Sequence, residues 1–320
     1  MMSYKNYLNE QSSKAIPPPD FITRLVTWFL RWQKKFRSPF SIGGLRGWSK
    51  RFNRQQFKLP EGIEFERIEF AGLTCDRLNN PDADKVVLHF YGGGYCIRMP
   101  DSEIPAIAAF CKSINAEAYL PWYRLAPEDP FPAAPDDCLR VYQSLLEEGV
   151  DPQRIILSGI SAGGGNALSL LSMLRERQLP MPAYVTLSSP AGDGLLTTPS
   201  WYENAGTCAF FKLEDILIFG AMFARPEQRS NPLLNVSLMD DFTGYPPLHF
   251  TASTDEVLRD VSVIAHEKAL AAGVKSTLTL FEGAFHCQPV LWPRGRQSKV
   301  IWQQIIDDLP VHLKPSVKTS

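Results

Sequence analysis

The 320-residue sequence predicts an α/β protein, with a mostly parallel central sheet, helices on both faces and a helical cap. Three observations carry this. Short β-branched runs alternate with helix-like stretches from residue 63 onward. One of those runs, Arg154-Ile155-Ile156-Leu157-Ser158, leads directly into Gly159-Ile160-Ser161-Ala162-Gly163 and then a helical pattern, which reads as a strand–turn–helix. A long aromatic-rich excursion at 190–245 then interrupts the alternation, as a lid over a site does.

Taken in order, the first sixty residues look unlike the rest. Pro17-Pro18-Pro19 precedes an aromatic stretch, 21–36, whose apolar residues recur at helical spacing among Arg24, Arg31, Lys34 and Lys35. The apolar part, 21–30, is too short to span a bilayer and contains Arg24. It reads as a helix packed on the body of the protein; the alternative is a helix lying in a lipid interface. Residues 63–70 and 74–78 open the fold as a hairpin, and the apolar run Lys85-Val86-Val87-Leu88-His89-Phe90 is a buried strand. A helix at 102–116, a strand at 117–121, a helix at 133–146 and a strand at 154–158 follow. The serine turn opens a helix at 162–177, and 183–188 is the next strand. The excursion carries one helical segment, 213–223. The pattern resumes with a strand at 248–252, a helix at 257–272, a strand at 276–281 and an amphipathic helix at 295–309.

Composition narrows the class. Hydrophobic residues make up 44% and charged residues 21%, and the formal net charge is -1, so bulk charge suggests neither nucleic acid nor an anionic membrane as partner. Six scattered cysteines without a CxxC argue against zinc and against a disulfide framework. No secretory pattern opens the chain, no transmembrane segment is evident, and a cytoplasmic location is expected.

The chemistry centres on Ser161. Glycines at a tight turn put its hydroxyl at the tip of a strand and the Ala162 amide at a positive helix N-terminus. A serine needs a base to take its proton and an acid to orient that base, and on such sheets they follow the serine in the order acid, then histidine. Of the four histidines beyond Ser161, His286 lies in the loop after strand 276–281, at the sheet edge where such sites sit. The acid belongs to the loop after strand 248–252, where Asp255 holds the expected position and Glu256 is the runner-up. Tyr91-Gly92-Gly93-Gly94-Tyr95 follows a buried strand and lets backbone amides approach a substrate closely. No metal-ligand cluster is evident, so no metal or cofactor is expected.

These residues resemble the hormone-sensitive-lipase-like, or bacterial family IV, esterases of the α/β-hydrolase superfamily. The resemblance runs from Ile63 to the C-terminus, through His89-Phe90-Tyr91-Gly92-Gly93-Gly94-Tyr95, Tyr123-Arg124-Leu125-Ala126-Pro127-Glu128, Gly159-Ile160-Ser161-Ala162-Gly163-Gly164, Asp255-Glu256-Val257-Leu258 and Gly283-Ala284-Phe285-His286. It implies an α/β-hydrolase fold and a serine carboxylesterase for short- to medium-chain esters, acting through an acyl-enzyme. Ser161 would be the nucleophile, Asp255 the acid and His286 the base, with an oxyanion hole from the amides of Gly93, Gly94 and Ala162. Residues 1–60 and the 190–245 insertion would pack together as a cap on a catalytic domain of 61–320. Arg124 and Glu128 would tie the loop near the site through ion pairs, with Asp136 or Asp137 as partners. The edge strand 276–281 would allow a homodimer.

Two departures stand out. Tyr91 replaces the family's structural histidine, and its hydroxyl is expected to bond the backbone around Gly92–Gly94 or a neighbouring loop. Ile160 replaces a polar residue before the serine. Trp201, Tyr202, Phe210 and Phe211 would either line an acyl site or form the core of the cap. A non-catalytic binding protein on the same fold is the alternative function, and the intact Ser161, Asp255 and His286 favour the enzyme.

Overall fold

Eight strands, β1 (Glu64–Phe70), β2 (Leu73–Asn79), β3 (Lys85–Phe90), β4 (Ala116–Pro121), β5 (Ile155–Ile160), β6 (Tyr184–Ser188), β7 (Leu248–Ser253) and β8 (Ser276–Phe281), form one sheet. The computed structural model describes residues 16–52 and 57–314. Parts of the expected N-terminal cap segment, 1–15 and 53–56, lie outside the described residues. The spatial order is β1-β2-β4-β3-β5-β6-β7-β8. The β1/β2 and β2/β4 pairs are antiparallel and the remaining five are parallel. This is the mostly parallel sheet the sequence predicts.

The helices are α1 (Phe21–Phe36), α2 (Ile42–Phe52), α3 (Pro100–Ile114), α4 (Ala133–Glu147), α5 (Ala162–Glu176), α6 (Ser200–Glu203), α7 (Leu213–Phe223), α8 (Arg259–Ala271), α9 (Gln288–Leu291) and α10 (Arg296–Asp308). Strand side chains alternate between two faces, so one strand feeds two cores. Val86, Leu88, Ile155 and Leu157 pack with residues of α4, α5 and α8. Val87, Ile156 and Tyr184 pack on the opposite side with Ile104, Ile107 and Cys111 of α3 and Ile301 and Ile305 of α10. Burial on both faces explains why these strands read as continuous apolar runs.

Several elements differ from expectation, the one-turn helices α6 and α9 among them. Helix α2 was not expected: Gly43, Gly44 and Gly47 lower helix propensity by about 1 kcal/mol each, and they mask its pattern. Helix α8 begins at Arg259 rather than 257, because the preceding residues form the turn that carries Glu256. Strand β5 runs on to Ile160, so it ends directly at Ser161.

The parallel register aligns the C-terminal ends of the strands. Phe90 lies beside Gly159, Ile160 beside Ser188, Ser188 beside Thr251, and Ser253 beside Phe281. Loops leaving β3, β5, β6, β7 and β8 therefore converge on one edge, and α1, α2 and the 190–245 stretch pack over it. Asp215 of α7, fully buried, ties these segments together. It pairs with Arg37. It also accepts from the amides of Phe40 and Lys212, each at 2.7 Å.

Helix α1 does not pack as its apolar pattern suggests. Thr23, Thr27 and Lys34 are its buried residues, while Phe21, Trp28, Trp32 and Phe36 face outward. The polar side holds because Lys34 donates to the carbonyls of Ala205 and Cys208, and Arg31 donates to the Thr207 carbonyl at 2.8 Å. No helix among the described residues is long and apolar enough to cross a membrane.

Candidate active site

Ser161 sits between β5 and α5 with φ 50° and ψ -121°, a conformation rarely adopted by non-glycine residues. The surrounding backbone holds it there. Its amide donates to the Ser188 carbonyl at 3.0 Å, and its own carbonyl accepts from Gly165 at 3.1 Å and Ala191 at 2.8 Å. Glycine is required at 163, where a Cβ would lie 1.9 Å from the Phe90 carbonyl oxygen. The turn is thus clamped between the ends of β3 and β6. The first turn of α5 has no acidic residue, so its positive end is left for an anion.

His286 is 4% exposed. Its Nδ1 donates to Glu256 Oε2 at 2.5 Å. Glu256 is buried, and its other oxygen accepts from Ser189 Oγ at 2.6 Å and from the Ser253 amide at 2.8 Å. Three donors on one carboxylate fix its position. Asn204 braces the same turn, donating to the carbonyls of Thr254 at 2.9 Å and Glu256 at 2.8 Å.

This corrects the acid predicted from sequence. Asp255 does not contact His286; it is partly exposed and accepts from Arg31 at 2.7 Å. Successive side chains in the turn point to opposite sides, so Asp255 faces α1 while Glu256 reaches inward to the ends of β6 and β8. The runner-up takes the place given to Asp255, and Asp255 instead anchors the N-terminal helix.

On the far side of the imidazole, Cys287 Sγ lies 3.3 Å from Nε2. Burial pushes the Cys287 thiol far up, so it stays protonated, with Nε2 and the Ser188 carbonyl at 3.6 Å both within reach of its one proton. With the Glu256 carboxylate accepting from Nδ1, Nε2 is left as the acceptor, the tautomer a general base needs. Sequence reasoning missed Cys287, although its place directly after His286 was a signal. Among the described residues, Ser161 Oγ makes no hydrogen bond to His286; the two line one cavity.

The glycine loop after β3 is held by a buried network that the sequence did not reveal. Glu103 of α3 accepts from the Gly92 amide at 3.0 Å and from His89 Nε2 at 2.8 Å. His89 Nδ1 lies 2.9 Å from Ser158 Oγ on β5. Burial pushes the Glu103 carboxyl up, and His89 and the Gly92 amide oppose this. The Tyr91 hydroxyl points elsewhere, donating to the Tyr123 carbonyl at 3.3 Å, while Tyr123 donates back to the Tyr91 carbonyl at 2.7 Å. The two rings stack at 4.3 Å. Tyr91 thus bonds a neighbouring loop, and Glu103 is what grips the glycines. Among the described residues, the amides of Gly93 and Gly94 have no acceptor. Gly94 has φ 60°, and a Cβ there would lie 2.6 Å from the Phe219 ring.

Ion pairs brace the next loop. Arg124 bonds Asp137 through its amide at 2.8 Å and its guanidinium at 2.9 to 3.1 Å, so Asp137 rather than Asp136 is its partner. Glu128 instead pairs with Arg46 of α2 at 2.6 Å.

Two cavities meet at Ser161. The larger, about 430 Å³, reaches Gly93, Phe210, Phe211 and His286 on one wall and Leu30 and Gln33 of α1 on the other. The smaller, about 100 Å³, is lined by Ala162, Trp201, Phe211, Phe219 and Phe223. Trp201, Phe210 and Phe211 therefore line cavities, and Tyr202 is 67% exposed and lines neither.

A family model described as alpha/beta hydrolase fold matches residues 87–289. An acetyl-hydrolase of Streptomyces hygroscopicus is 31% identical over 67% of this chain and 72% of its own length. An esterase of Acinetobacter venetianus is 29% identical over 70% of this chain and 74% of its own. Among solved structures, an esterase from the bacterial hormone-sensitive lipase family superposes with TM-score 0.79 at 28% identity, covering 89% of this chain and 97% of that one. A hormone-sensitive lipase from a metagenome library gives TM-score 0.81 at 27% identity over 90% and 97%.

Proposed function

Because the chain belongs to the α/β-hydrolase family, as a carboxylic-ester hydrolase of its hormone-sensitive-lipase-like branch, we propose that Ser161, His286 and Glu256 carry the reaction through an acyl-enzyme. The observation that supports this most is the buried Glu256–His286 pair facing the cavity that holds Ser161.

Ser161 Oγ attacks the ester carbonyl carbon as His286 Nε2 takes its proton. Glu256 keeps the proton on Nδ1 and stabilises the imidazolium. Negative charge collects on the carbonyl oxygen, where the amides of Gly93, Gly94 and Ala162 receive it. The tetrahedral intermediate collapses, His286 gives the proton to the leaving alkoxide, and the alcohol departs. Water, activated by the same nitrogen, then attacks the acyl carbon and frees Ser161 with the carboxylic acid. As Nε2 takes each proton, the Cys287 thiol has the Ser188 carbonyl as its acceptor.

The narrow cavity between Trp201, Phe219 and Phe223 suits a short acyl chain, with medium chains at the upper bound. In this reading residues 21–52 and 190–245 act as the cap over both cavities. A homodimer through the outer edge of β8 belongs to the same reading, since β8 pairs only with β7 among the described strands. A cytoplasmic location accords with six buried free cysteines.

A fluorophosphonate probe tests the reading. We expect one covalent adduct, mapped to Ser161 by mass spectrometry and absent in Ser161→Ala, with loss of activity on a p-nitrophenyl butyrate assay. Labelling of another residue, or wild-type turnover in Ser161→Ala, would overturn it.

A further inference from the structure

Among the described residues, the outward face of α1 joins none of the buried cores, and its chemistry is specific. Phe21, Leu25, Trp28, Phe29, Trp32 and Phe36 are 48% to 74% exposed. They recur at three- and four-residue spacing, so they form one stripe, and neighbouring rings touch at 6.1 Å (Phe29–Trp32) and 5.5 Å (Trp32–Phe36). About half of each large side chain is open, on the order of 600 Å² together, at the top of the range for the largest apolar patch of a monomer. Ordinary surface helices bury the apolar stripe and expose the polar one; α1 does the reverse.

Charge identifies the occupant. Residues 21–60 hold ten of the chain's 33 Lys and Arg residues and none of its 34 Asp and Glu residues. Within α1, Arg31 and Lys34 are engaged with the body, while Arg24 and Lys35 are exposed near the two ends of the stripe. A second copy of the chain would bring two such basic helices together and repel. An apolar, Trp-rich stripe flanked by cations fits the interface of an anionic phospholipid bilayer. A net charge of -1 conceals this, because the acidic residues lie elsewhere in the chain.

We infer that α1 docks the protein, lying in the plane of an anionic phospholipid surface with its aromatic stripe in the headgroup–acyl boundary. The same helix contributes Leu30 and Gln33 to the cavity that holds Ser161, so docking sets that cavity beside the lipid. This inference concerns where the protein sits and is independent of which residues carry the chemistry.

Vesicle sedimentation tests it. Wild-type protein is mixed with phosphatidylcholine vesicles and with phosphatidylcholine–phosphatidylglycerol vesicles, and the pelleted fraction and tryptophan emission are read. Binding to the phosphatidylglycerol vesicles is expected, with a blue shift, and it should weaken with salt. Trp28→Ser/Trp32→Ser should lower vesicle affinity at least about tenfold. Arg24→Glu/Lys35→Glu should lower it on the anionic vesicles alone. Both variants should hydrolyse a soluble p-nitrophenyl ester like wild type, which separates this result from any failure of the catalytic reading. Wild-type protein that stays in the supernatant with both vesicles would overturn the inference. So would vesicle binding unchanged by the Trp pair, or a dimer in sedimentation velocity that the Trp pair abolishes.

Discussion

Removing the Glu103 side chain should slow turnover far more than it weakens substrate binding, though Glu103 bonds the Gly92 amide and His89 rather than Ser161 or His286. Glu103→Ala orphans two buried groups, the Gly92 amide and His89 Nε2. Each costs about 1–3 kcal/mol when left unsatisfied, so the loss of stability should be roughly 2–6 kcal/mol. A domain with 5–15 kcal/mol of stability can remain folded after that. Gly92 leads into two of the three proposed oxyanion donors. One such donor is worth about 2.7–4 kcal/mol in the transition state, so a loosened loop should lower kcat between about tenfold and a thousandfold. KM should change much less, because the donors act chiefly once charge develops. Glu103→Gln is the control. Its carbonyl can keep the Gly92 amide and its NH₂ can donate to His89 Nε2, provided His89 moves its proton to Nδ1 toward Ser158. That variant should stay within several-fold of wild type. The assay is steady-state hydrolysis of p-nitrophenyl butyrate beside a urea unfolding curve for each variant. A folded Glu103→Ala with wild-type kcat would refute the idea that Glu103 positions the glycine loop.

Tyr91→Phe should be nearly silent, changing kcat less than about fivefold, because its one long hydroxyl bond to Tyr123 is worth about 1 kcal/mol and the ring stack remains. A larger loss in the same hydrolysis assay would return Tyr91 to the role of loop anchor. Burial pushes the His266 imidazole down to about 4 from 6.5. The neutral ring is favoured in the fold, so its contribution is fully present above pH 6.5 and is lost as pH falls toward 4, by roughly 3 kcal/mol. Urea midpoints over that window should fall less steeply in His266→Gln, and equal slopes would contradict this.

What the sequence made legible was local. The runs Lys85–Phe90 and Ile155–Ile160 announce buried strands because both their faces are covered. Ser161 and His286 were readable because each follows a strand whose end fixes the side chain in space. Asp255 and Glu256 were not separable by spacing, since both are adjacent to β7. The choice depends on Ser189 and Asn204, which reach the turn from 67 and 52 residues away. Glu103 looked like an ordinary residue near the start of a helix, and only the packing of α3 on the sheet brings it to Gly92. For α1, periodicity predicted a helix but not which side faces the body. Lys34 and Arg31 decide that through carbonyls some 170 residues away, at Ala205 (171) and Thr207 (176).

Identity of the acid is the claim on which the site turns, and kcat for Glu256→Gln beside Asp255→Asn measures it directly. An amide at 256 would present its NH₂ to His286 and drive the proton to Nε2, so the base could no longer accept from Ser161. Turnover of p-nitrophenyl butyrate should fall on the order of 10⁴-fold in Glu256→Gln. Asp255→Asn weakens a partly exposed ion pair with Arg31, worth no more than about 1 kcal/mol, and should keep turnover within a few-fold. The reverse ranking, with Asp255→Asn crippled and Glu256→Gln active, would contradict the account.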